Sequence, residues 1–179
     1  MTAEQAQFEA LFLETREPLL AYLTRRSDAH DAADLLAEVY LVAWRRRADL
    51  PAGDEQRLWL FGVARRLLAE HHRTAGRWTT VAELPEQPAA AADDRRGAAV
   101  NRALEALSDL DRELVTLTTW EGLTPADAAR VVGITAGTAR VRLHRARARL
   151  ARHPALRQLL DGGGGTDDVP APAAVPVSS

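Results

Sequence analysis

Apolar residues recur at helical spacing along most of this chain, in stretches separated by polar segments. From Phe8 to Leu23 they repeat at intervals of three, four and seven, and Pro18 is expected to kink or divide that helix. Further helices are predicted over 28–47 and 58–73, with a polar loop from Pro51 to Arg57 between them. Because no stretch alternates as a strand should, the pattern predicts an all-α fold.

The helical pattern is interrupted once and ends before the C-terminus. After Arg73 the sequence contains two prolines, an alanine run and scattered charges, with few residues to bury. The pattern resumes near Val100 and gives way to a tail rich in glycine, proline and alanine. We therefore predict a helical domain over 1–73, a flexible linker over 74–98, a second small helical domain over 99–160 and a disordered tail over 161–179.

The second predicted domain contains the signature of a helix-turn-helix. Thr124 is placed to cap a helix that begins with Pro125, where the missing N–H has no cost. Gly133 stands where a left-handed turn residue is needed, and Thr135 is placed to cap the next helix. A helix, a short glycine turn and a second capped helix are typical of the helix-turn-helix.

Charge is distributed unevenly around that second helix. The whole chain has a net charge of −2, yet residues 135–160 contain seven arginines, two histidines and no acidic residue. At about 100° per residue, one stripe is apolar and should be buried, consisting of Ala139, Leu143, Ala146 and Leu150. The opposite face carries Val141, His144 and Arg145, which a major groove would place nearest the base edges.

This basic helix predicts duplex DNA binding. A solvated cationic face is the alternative for any single arginine, and a GC-rich genome would explain why the chain has no lysine. The capped first helix, the glycine turn and the acid-free second helix together favour DNA. The flanking arginines should bind phosphates. The candidate residues are Thr138, Arg140, Val141, Arg142, His144, Arg145 and Arg147.

Several other classes of function have no support in the sequence. The chain contains no cysteine, which excludes disulfides, thiolate metal sites and cysteine nucleophiles. His71 and His72 are adjacent rather than four apart, so they do not form a metal pair on a helix. No signal peptide, membrane-spanning stretch or phosphate-binding loop is visible. We predict a soluble, cytoplasmic protein without membrane insertion, metal, cofactor or catalytic site.

Two sets of motifs together resemble one protein family. The segment 104–150, which includes TPADAARVVGITAGTARVRLHRARARL, resembles region 4 of the extracytoplasmic-function (ECF) group of sigma-70 family sigma factors. In the first domain, DAADLLAEVYLVAWRR (31–46) resembles region 2.2, and WLFGVARRLLAEHHR (59–73) resembles regions 2.3 and 2.4. The resemblance implies a sigma factor, a subunit that binds core RNA polymerase and directs promoter recognition, melting and transcription initiation.

The resemblance implies a polymerase-binding surface on the second helix. Asp34 and Glu38 occupy positions that bind the β′ clamp helices, with Leu35 packing beside them, and Asp31 lies on the same face. Capping and compensation of the helix dipole are an alternative reading of these carboxylates. Leu41 and Trp44 are expected in the core. The implied partners are core RNA polymerase through its β′ clamp helices and β flap, promoter DNA and an anti-sigma factor.

The resemblance also implies a site for the minus-10 promoter element. In the family, the loop before Trp59 holds a flipped non-template base, and here the candidates are Asp54, Glu55, Gln56 and Arg57, without a choice among them. Arg65, Arg66 and Arg73 are the cationic candidates for the melted strand, whereas Trp59 and Phe61 are expected in the core.

The chain departs from the family pattern at several positions. Ala33 and Ala37 replace Glu and Gln on the polymerase face, and Val141 replaces a small polar residue used in promoter reading. Two other classes of protein remain as alternatives. One is a helix-turn-helix regulator that acts without being a polymerase subunit, and the other is a protein-interaction adaptor that has lost DNA binding.

Overall fold

The computed structural model describes residues 3–74 and 91–162, and the described part of the chain is helical without a strand. This confirms the all-α prediction. The helices are α1 (Ala3–Thr24), α2 (Ala29–Arg45), α3 (Glu55–Thr74), α4 (Ala91–Glu105), α5 (Asp109–Thr119), α6 (Pro125–Val132), α7 (Ala136–Arg152) and α8 (Pro154–Gly162), with a 3-10 turn at Arg47–Asp49. The predicted tail from residue 163 onward and residues 75–90 of the predicted linker lie outside the described residues.

Helices α1, α2 and α3 form an N-terminal unit. Asp28 caps α2 by accepting a hydrogen bond from the Asp31 amide at 2.8 Å. One stripe of α2 is buried, and it packs with the buried residues of α1 and α3, among which Tyr22 and Phe61 meet edge to face at 5.3 Å. The buried stripe consists of Ala32, Leu35, Val39, Tyr40 and Ala43.

Helix α1 continues without interruption through Pro18, so the expectation that proline divides this segment is wrong. Leu11 and Thr15 before the proline and Leu19 after it are all buried in the core. The Thr15 hydroxyl also donates to the Leu11 carbonyl at 2.6 Å and contacts the Tyr40 hydroxyl at 2.8 Å. Packing on both sides of Pro18 therefore outweighs the backbone hydrogen bond that proline removes.

The predicted loop from Pro51 to Arg57 is shorter than expected. Gly53 adopts the left-handed conformation at φ 59°, its carbonyl accepts from the Gln56 amide at 3.0 Å, and α3 begins at Glu55. Three of the four predicted minus-10 candidates, Glu55 to Arg57, therefore lie in the first helical turn. The sequence placed the start of the helix at residue 58, at the first apolar residue, because polar residues in a first turn resemble a loop.

One aliphatic and one aromatic residue of α2, Leu41 and Trp44, lie outside the core, so the prediction that they are buried is wrong. Leu41 is 52% exposed and Trp44 is 36% exposed. Trp44 contacts the Phe8 ring edge to face at 5.0 Å, and the Arg47 guanidinium lies 4.7 Å from its ring centroid. By contrast, Phe61 is fully buried as predicted, and Trp59 is partly buried against the core.

Helices α4 to α8 form a C-terminal unit. Helix α4 begins at Ala91, inside the segment predicted as linker, because its alanines and charged residues also suit a helix. Arg112 of α5 is buried and ties α4 to α5, donating to the carbonyls of Leu104, Glu105 and Leu107 at 2.9–3.3 Å. A buried guanidinium with carbonyl partners satisfies the end of α4, where helical carbonyls otherwise lack donors.

The two units pack against each other. Their buried apolar side chains form one continuous cluster, from Leu11 in α1 to Ala146 in α7. Tyr22 of α1 and Arg26, just after α1, make polar contacts with α5 beside this apolar contact, and α3 also contacts α6. The sequence predicted two domains joined by a linker but gave no sign that they would share an interface.

Candidate nucleic-acid interface

The helix-turn-helix is formed by α6, a glycine turn and α7. Thr124 caps α6 by accepting from the Asp127 amide at 3.1 Å, and its hydroxyl donates to the Asp127 carboxylate at 2.6 Å. Gly133 ends α6 at φ 78°, and its amide donates to the carbonyl of Ala129 at 2.9 Å. Thr135 then caps α7 by accepting from the Thr138 amide at 3.2 Å. These contacts confirm each capping and turn residue predicted from the sequence.

One face of α7 is buried against α5 and α6. Ala139, Leu143 and Ala146 are at most 2% exposed, and Leu150 is partly buried against the same core. The small side chains of Ala139 and Ala146 allow neighbouring helices to approach closely. The buried stripe is therefore as predicted, and it fixes which residues of α7 point outward.

The opposite face of α7 is open to solvent. Arg140, Val141, His144 and Arg145 are all exposed, and Val141 is 51% exposed despite being apolar. Neither the Arg140 nor the Arg145 side chain makes a hydrogen bond or an ion pair with any residue that the structure describes. This face, which we call the α7 face, offers two unpaired guanidinium groups beside an apolar side chain.

The flanking arginines of α7 differ from those on the α7 face. Arg142 donates to the Asp111 carboxylate at 2.8 Å, and Arg147 donates to the Thr118 hydroxyl at 3.4 Å. Arg142 and Arg147 are thus held by α5, and they keep part of their donors free. Thr138, another predicted DNA contact, is exposed, and its hydroxyl lies 2.9 Å from that of Thr135.

The predicted minus-10 candidates lie at the start of α3, close to the C-terminal unit. Arg57 donates to the Glu121 carbonyl at 3.1 Å, and Glu55 accepts from Arg130 of α6 at 3.1 Å. Asp54 is exposed and Gln56 is partly exposed. We call residues 54–57 the α3 segment; in this structure two of its four side chains are bound to the C-terminal unit.

The cationic candidates of α3 are spread along the helix. Arg65 is partly buried, whereas Arg66 and Arg73 are exposed. Arg65, Arg66 and Trp59 line a cleft between α3 and α6, and Arg130 lies on its other side. The cleft therefore brings basic side chains of both units together.

The predicted polymerase-binding residues lie on α2. Asp34 and Glu38 are exposed, and Asp31 lies 3.0 Å from Nε2 of His71 on α3. Leu35, in contrast, is only 5% exposed and belongs to the core of the N-terminal unit. It therefore holds α2 in place from the buried side of the helix. An exposed apolar stripe runs along the helix beside the two carboxylates, consisting of Ala33, Ala37, Leu41 and Trp44.

Sequence reasoning missed a cluster of charged residues between the two units. The Arg26 guanidinium donates to the Glu113 carboxylate at 3.2 Å and to the Thr116 hydroxyl at 2.8 Å. Arg25 donates to the Glu121 carboxylate at 2.7 Å. Glu113 lies within α5 and Glu121 just after it, and nothing in the sequence pairs them with the two arginines that follow α1.

Neither a metal centre nor a membrane span is found in residues 3–74 and 91–162. No group of histidine, aspartate and glutamate residues in these ranges is arranged to hold a metal ion. Within the same ranges, no helix combines the length and the apolar character needed to cross a membrane.

Comparisons with known proteins agree on one family. Residues 98–150 match the family model described as "Sigma-70, region 4". The chain is 33% identical over 154 residues to the ECF RNA polymerase sigma factor SigL of Mycobacterium tuberculosis, covering 79% of this chain and 85% of the relative. It is also 32% identical over 145 residues to the ECF RNA polymerase sigma factor SigC of the same organism, covering 78% of each.

A solved structure shows the same architecture across both units. The sigma factor RpoE of Bartonella quintana, determined in complex with the anti-sigma factor NepR, superposes with a TM-score of 0.64 at 25% identity. The match covers 84% of this chain and 97% of that one, so both helical units take part in it.

Proposed function

The chain belongs to the ECF group of sigma-70 family RNA polymerase sigma factors, and from that premise we propose which partner each of its surfaces contacts during promoter recognition. The observation that carries the proposal is the α7 face, with Arg140, Val141, His144 and Arg145 exposed on a capped helix-turn-helix. A recognition helix of this kind enters the major groove with its outward residues toward base edges.

The α7 face is proposed to contact the minus-35 element. Arg145 can bind the guanine O6 and N7 atoms as a bidentate donor, and Val141 can pack against a thymine methyl group. Arg140, together with the flanking Arg142 and Arg147, is proposed to bind phosphates. Because Arg142 and Arg147 are already oriented by Asp111 and Thr118, they lose less freedom when they bind.

The α3 segment and the exposed arginines of α3 are proposed to contact the minus-10 element. Asp54 and Gln56 carry acceptors and donors that suit a base edge, and Arg66 and Arg73 are exposed for the backbone of a melted strand. Extruding a base costs a few kcal/mol, which contacts in this region must offset.

The exposed face of α2 is proposed to bind the β′ clamp helices of core RNA polymerase. Asp34 and Glu38 supply negative charge beside the exposed stripe that includes Ala37 and Leu41. Charged residues around an apolar strip give both steering and buried contact area. In this arrangement RNA synthesis belongs to the polymerase, and the chain acts in the cytoplasm as its recognition subunit.

An anti-sigma factor is proposed as a further partner. Support comes from the RpoE structure, which was determined with an anti-sigma factor bound and resembles this chain in both units. The arrangement of the two units in this chain is therefore compatible with an inhibitor-bound state.

Transcription reconstituted in vitro with core polymerase and genomic fragments tests the proposal. We expect specific start sites only when chain and core enzyme are both present, with little sequence-specific binding by the chain alone. If the chain by itself binds one duplex site tightly and adds nothing to core polymerase, it is a helix-turn-helix regulator instead. If it binds polymerase without supporting any specific start site, it is an adaptor.

A further inference from the structure

A carboxylate lies beside the recognition helix, although α7 itself contains no acidic residue. Asp111 belongs to the first turn of α5, and it accepts a hydrogen bond from Arg142 of α7 at 2.8 Å. The Asp111 side chain is 17% exposed and that of Arg142 is 40% exposed, so the pair lies at the surface of the unit. Together they border an open hollow, which is also lined by Gly137, Thr138, Val141 and Arg145. The hollow therefore joins this ion pair to the α7 face.

The backbone around Asp111 is fixed on both sides. Ser108 caps α5 by accepting from the Asp111 amide at 3.2 Å. The next residue, Arg112, is buried and bound to carbonyls at the end of α4. Because the cap uses the Ser108 hydroxyl and the Asp111 amide, the carboxylate of Asp111 is left to bind Arg142. The acceptor is therefore held in one position relative to α7.

Compensation of the helix dipole does not account for the contact that Asp111 makes. Asp109 lies in the same first turn of α5, where its 77% exposed side chain already supplies negative charge to the start of the helix. Asp111 lines the hollow beside the proposed DNA surface, where its charge repels phosphates. A residue that weakens binding in this way contributes to discrimination if the correct duplex is affected less than the others.

The ion pair makes Arg142 different from two other arginines of α7. The Arg140 and Arg145 side chains have no hydrogen-bond or ion-pair partner among the described residues, so they are open to any phosphate. Arg142 is engaged through Nη1, whereas Nη2 and Nε keep donors for a second acceptor. A phosphate that approaches Nη1 must displace Asp111, whereas an acceptor placed opposite the free donors binds without displacing it.

We propose that Asp111 is a specificity-determining residue, which masks the charge of Arg142 from arbitrary duplex DNA and leaves only the free donors of its guanidinium to a correctly placed promoter. The inference rests on the proposed function of the α7 face as the contact to the minus-35 element. Weaker binding to arbitrary DNA increases specificity, because the preference for a site is the difference between the two binding free energies. Asp111 acts in this way through Arg142.

Binding of the full chain to a fluorescent duplex of mixed sequence is measured by anisotropy at several salt concentrations. The test variant is Asp111→Asn, which removes the charge and keeps the shape of the side chain. The matched control is Asp109→Asn, which makes the same charge change in the same helical turn, at a side chain that pairs with Arg112 and not with α7. Thermal unfolding followed by circular dichroism shows that each variant is folded, and Asp111→Ser is a second neutral replacement.

We expect Asp111→Asn to bind the mixed duplex about three- to tenfold more tightly at low salt, because Arg142 becomes free to contact one more phosphate. For the same reason, the plot of log affinity against log salt concentration should become steeper by about one unit. The unmodified chain and Asp109→Asn should share the same slope.

A double variant tests whether Asp111 acts through Arg142. In Arg142→Ala the extra phosphate contact cannot form, so the addition of Asp111→Asn should leave the salt slope as it is in Arg142→Ala alone. A steepening of equal size with and without Arg142 would overturn the masking, because general repulsion by the carboxylate would then explain the effect.

Discrimination between duplexes is measured with core polymerase. Transcription from one promoter found in the genomic-fragment assay is titrated with a competitor duplex that lacks this promoter. With Asp111→Asn, about three- to tenfold less competitor should be needed to halve specific transcription, because the variant binds the competitor more tightly. With Asp109→Asn, the amount of competitor should equal that for the unmodified chain.

The outcomes separate this inference from the proposed function. Equal salt slopes in the unmodified chain, Asp111→Asn and Asp109→Asn overturn the masking of Arg142, whether or not the chain supports transcription. A steeper slope without greater sensitivity to competitor overturns the role in specificity. If the unmodified chain supports no specific start site, the proposed function fails, whereas the slopes still decide whether Asp111 masks Arg142. A steeper slope that requires Arg142, together with greater sensitivity to competitor, supports both.

Discussion

The α7 face and the α3 segment are both proposed to contact promoter DNA, yet they are built differently. The α7 face is formed by one helix, held by local caps at Thr124 and Thr135 and by a buried stripe within the same unit. The α3 segment lies between units, and Glu55 and Arg57 are bound by residues more than sixty positions away in sequence. The comparison shows that one surface is available as soon as its unit folds, whereas access to the other depends on how the units are arranged.

The largest expected effect comes from removing the support of the α7 face. Leu143→Ala should lower the free energy of unfolding by about 2–5 kcal/mol, because it leaves a cavity where a 2% exposed leucine packed. Urea denaturation measures it. Val141→Ala, on the exposed side of the same helix, is the control and should change stability by no more than about 0.5 kcal/mol. Equal losses in the two variants would contradict the assignment of the two sides of α7.

A smaller effect, on transcription, is expected when a residue of the α7 face itself is replaced. Arg145→Ala should reduce specific transcription with core polymerase about 5- to 100-fold, the range expected when one bidentate contact to a base is lost. Arg152→Ala, an exposed arginine in the last turn of the same helix, is the matched control. Co-purification with core polymerase should be unchanged in both. The base-contact role of Arg145 fails if both variants transcribe equally well.

The contact between Glu55 and Arg130 should contribute less to the stability of the fold. Both side chains are 61% exposed, so Glu55→Gln should lower the free energy of unfolding by at most about 1 kcal/mol. A shared apolar cluster and the contacts of Arg25 and Arg26 with Glu121 and Glu113 also join the units, so the variant should remain folded. Urea denaturation measures the change, and a loss of several kcal/mol would show instead that the exposed pair is a main support of the contact between the units.

The smallest expected effect is a pH dependence of stability that arises from His72 of α3. Burial, reinforced by His71, lowers the pKa of His72 below its ordinary value of 6.5, although contacts with the Arg26 backbone and Asp31 oppose this shift. The unfolded chain then binds the proton more readily, so stability is lost as the pH falls from 6.5 through the folded-state pKa. Melting temperatures at several pH values should show this loss, and His72→Gln should reduce it. An identical pH profile in the variant would remove His72 as its source.

The sequence was sufficient to predict the α7 face because its determinants are local. Threonine caps, a left-handed Gly133 and a period near 3.6 all act within a few residues, and each was confirmed. The position of Trp44 could not be obtained in this way, since its partly exposed side chain packs against Phe8 of another helix. Pro18 likewise lies within a continuous helix only because tertiary contacts on both sides hold it.

The charged contacts between the two units could not be predicted by local rules, for a further reason. Arg26 and Glu113 are 87 positions apart, and neither occupies a position where spacing suggests a partner. Charged residues at the end of a helix are usually solvated, and burial becomes visible only when the two units are placed together. The assignments of Asp54 to Arg57 and of Asp34 and Glu38 to their partners stay predictions.

Arg112 has a mechanical consequence for the C-terminal unit. It fastens the last carbonyls of α4 to α5, and Asp111 beside it holds Arg142 of α7. We therefore expect α4, α5 and α7 to move together as one rigid body. Because the chain passes from α3 to this unit through α4, we expect a force on α4 to change the orientation of α7.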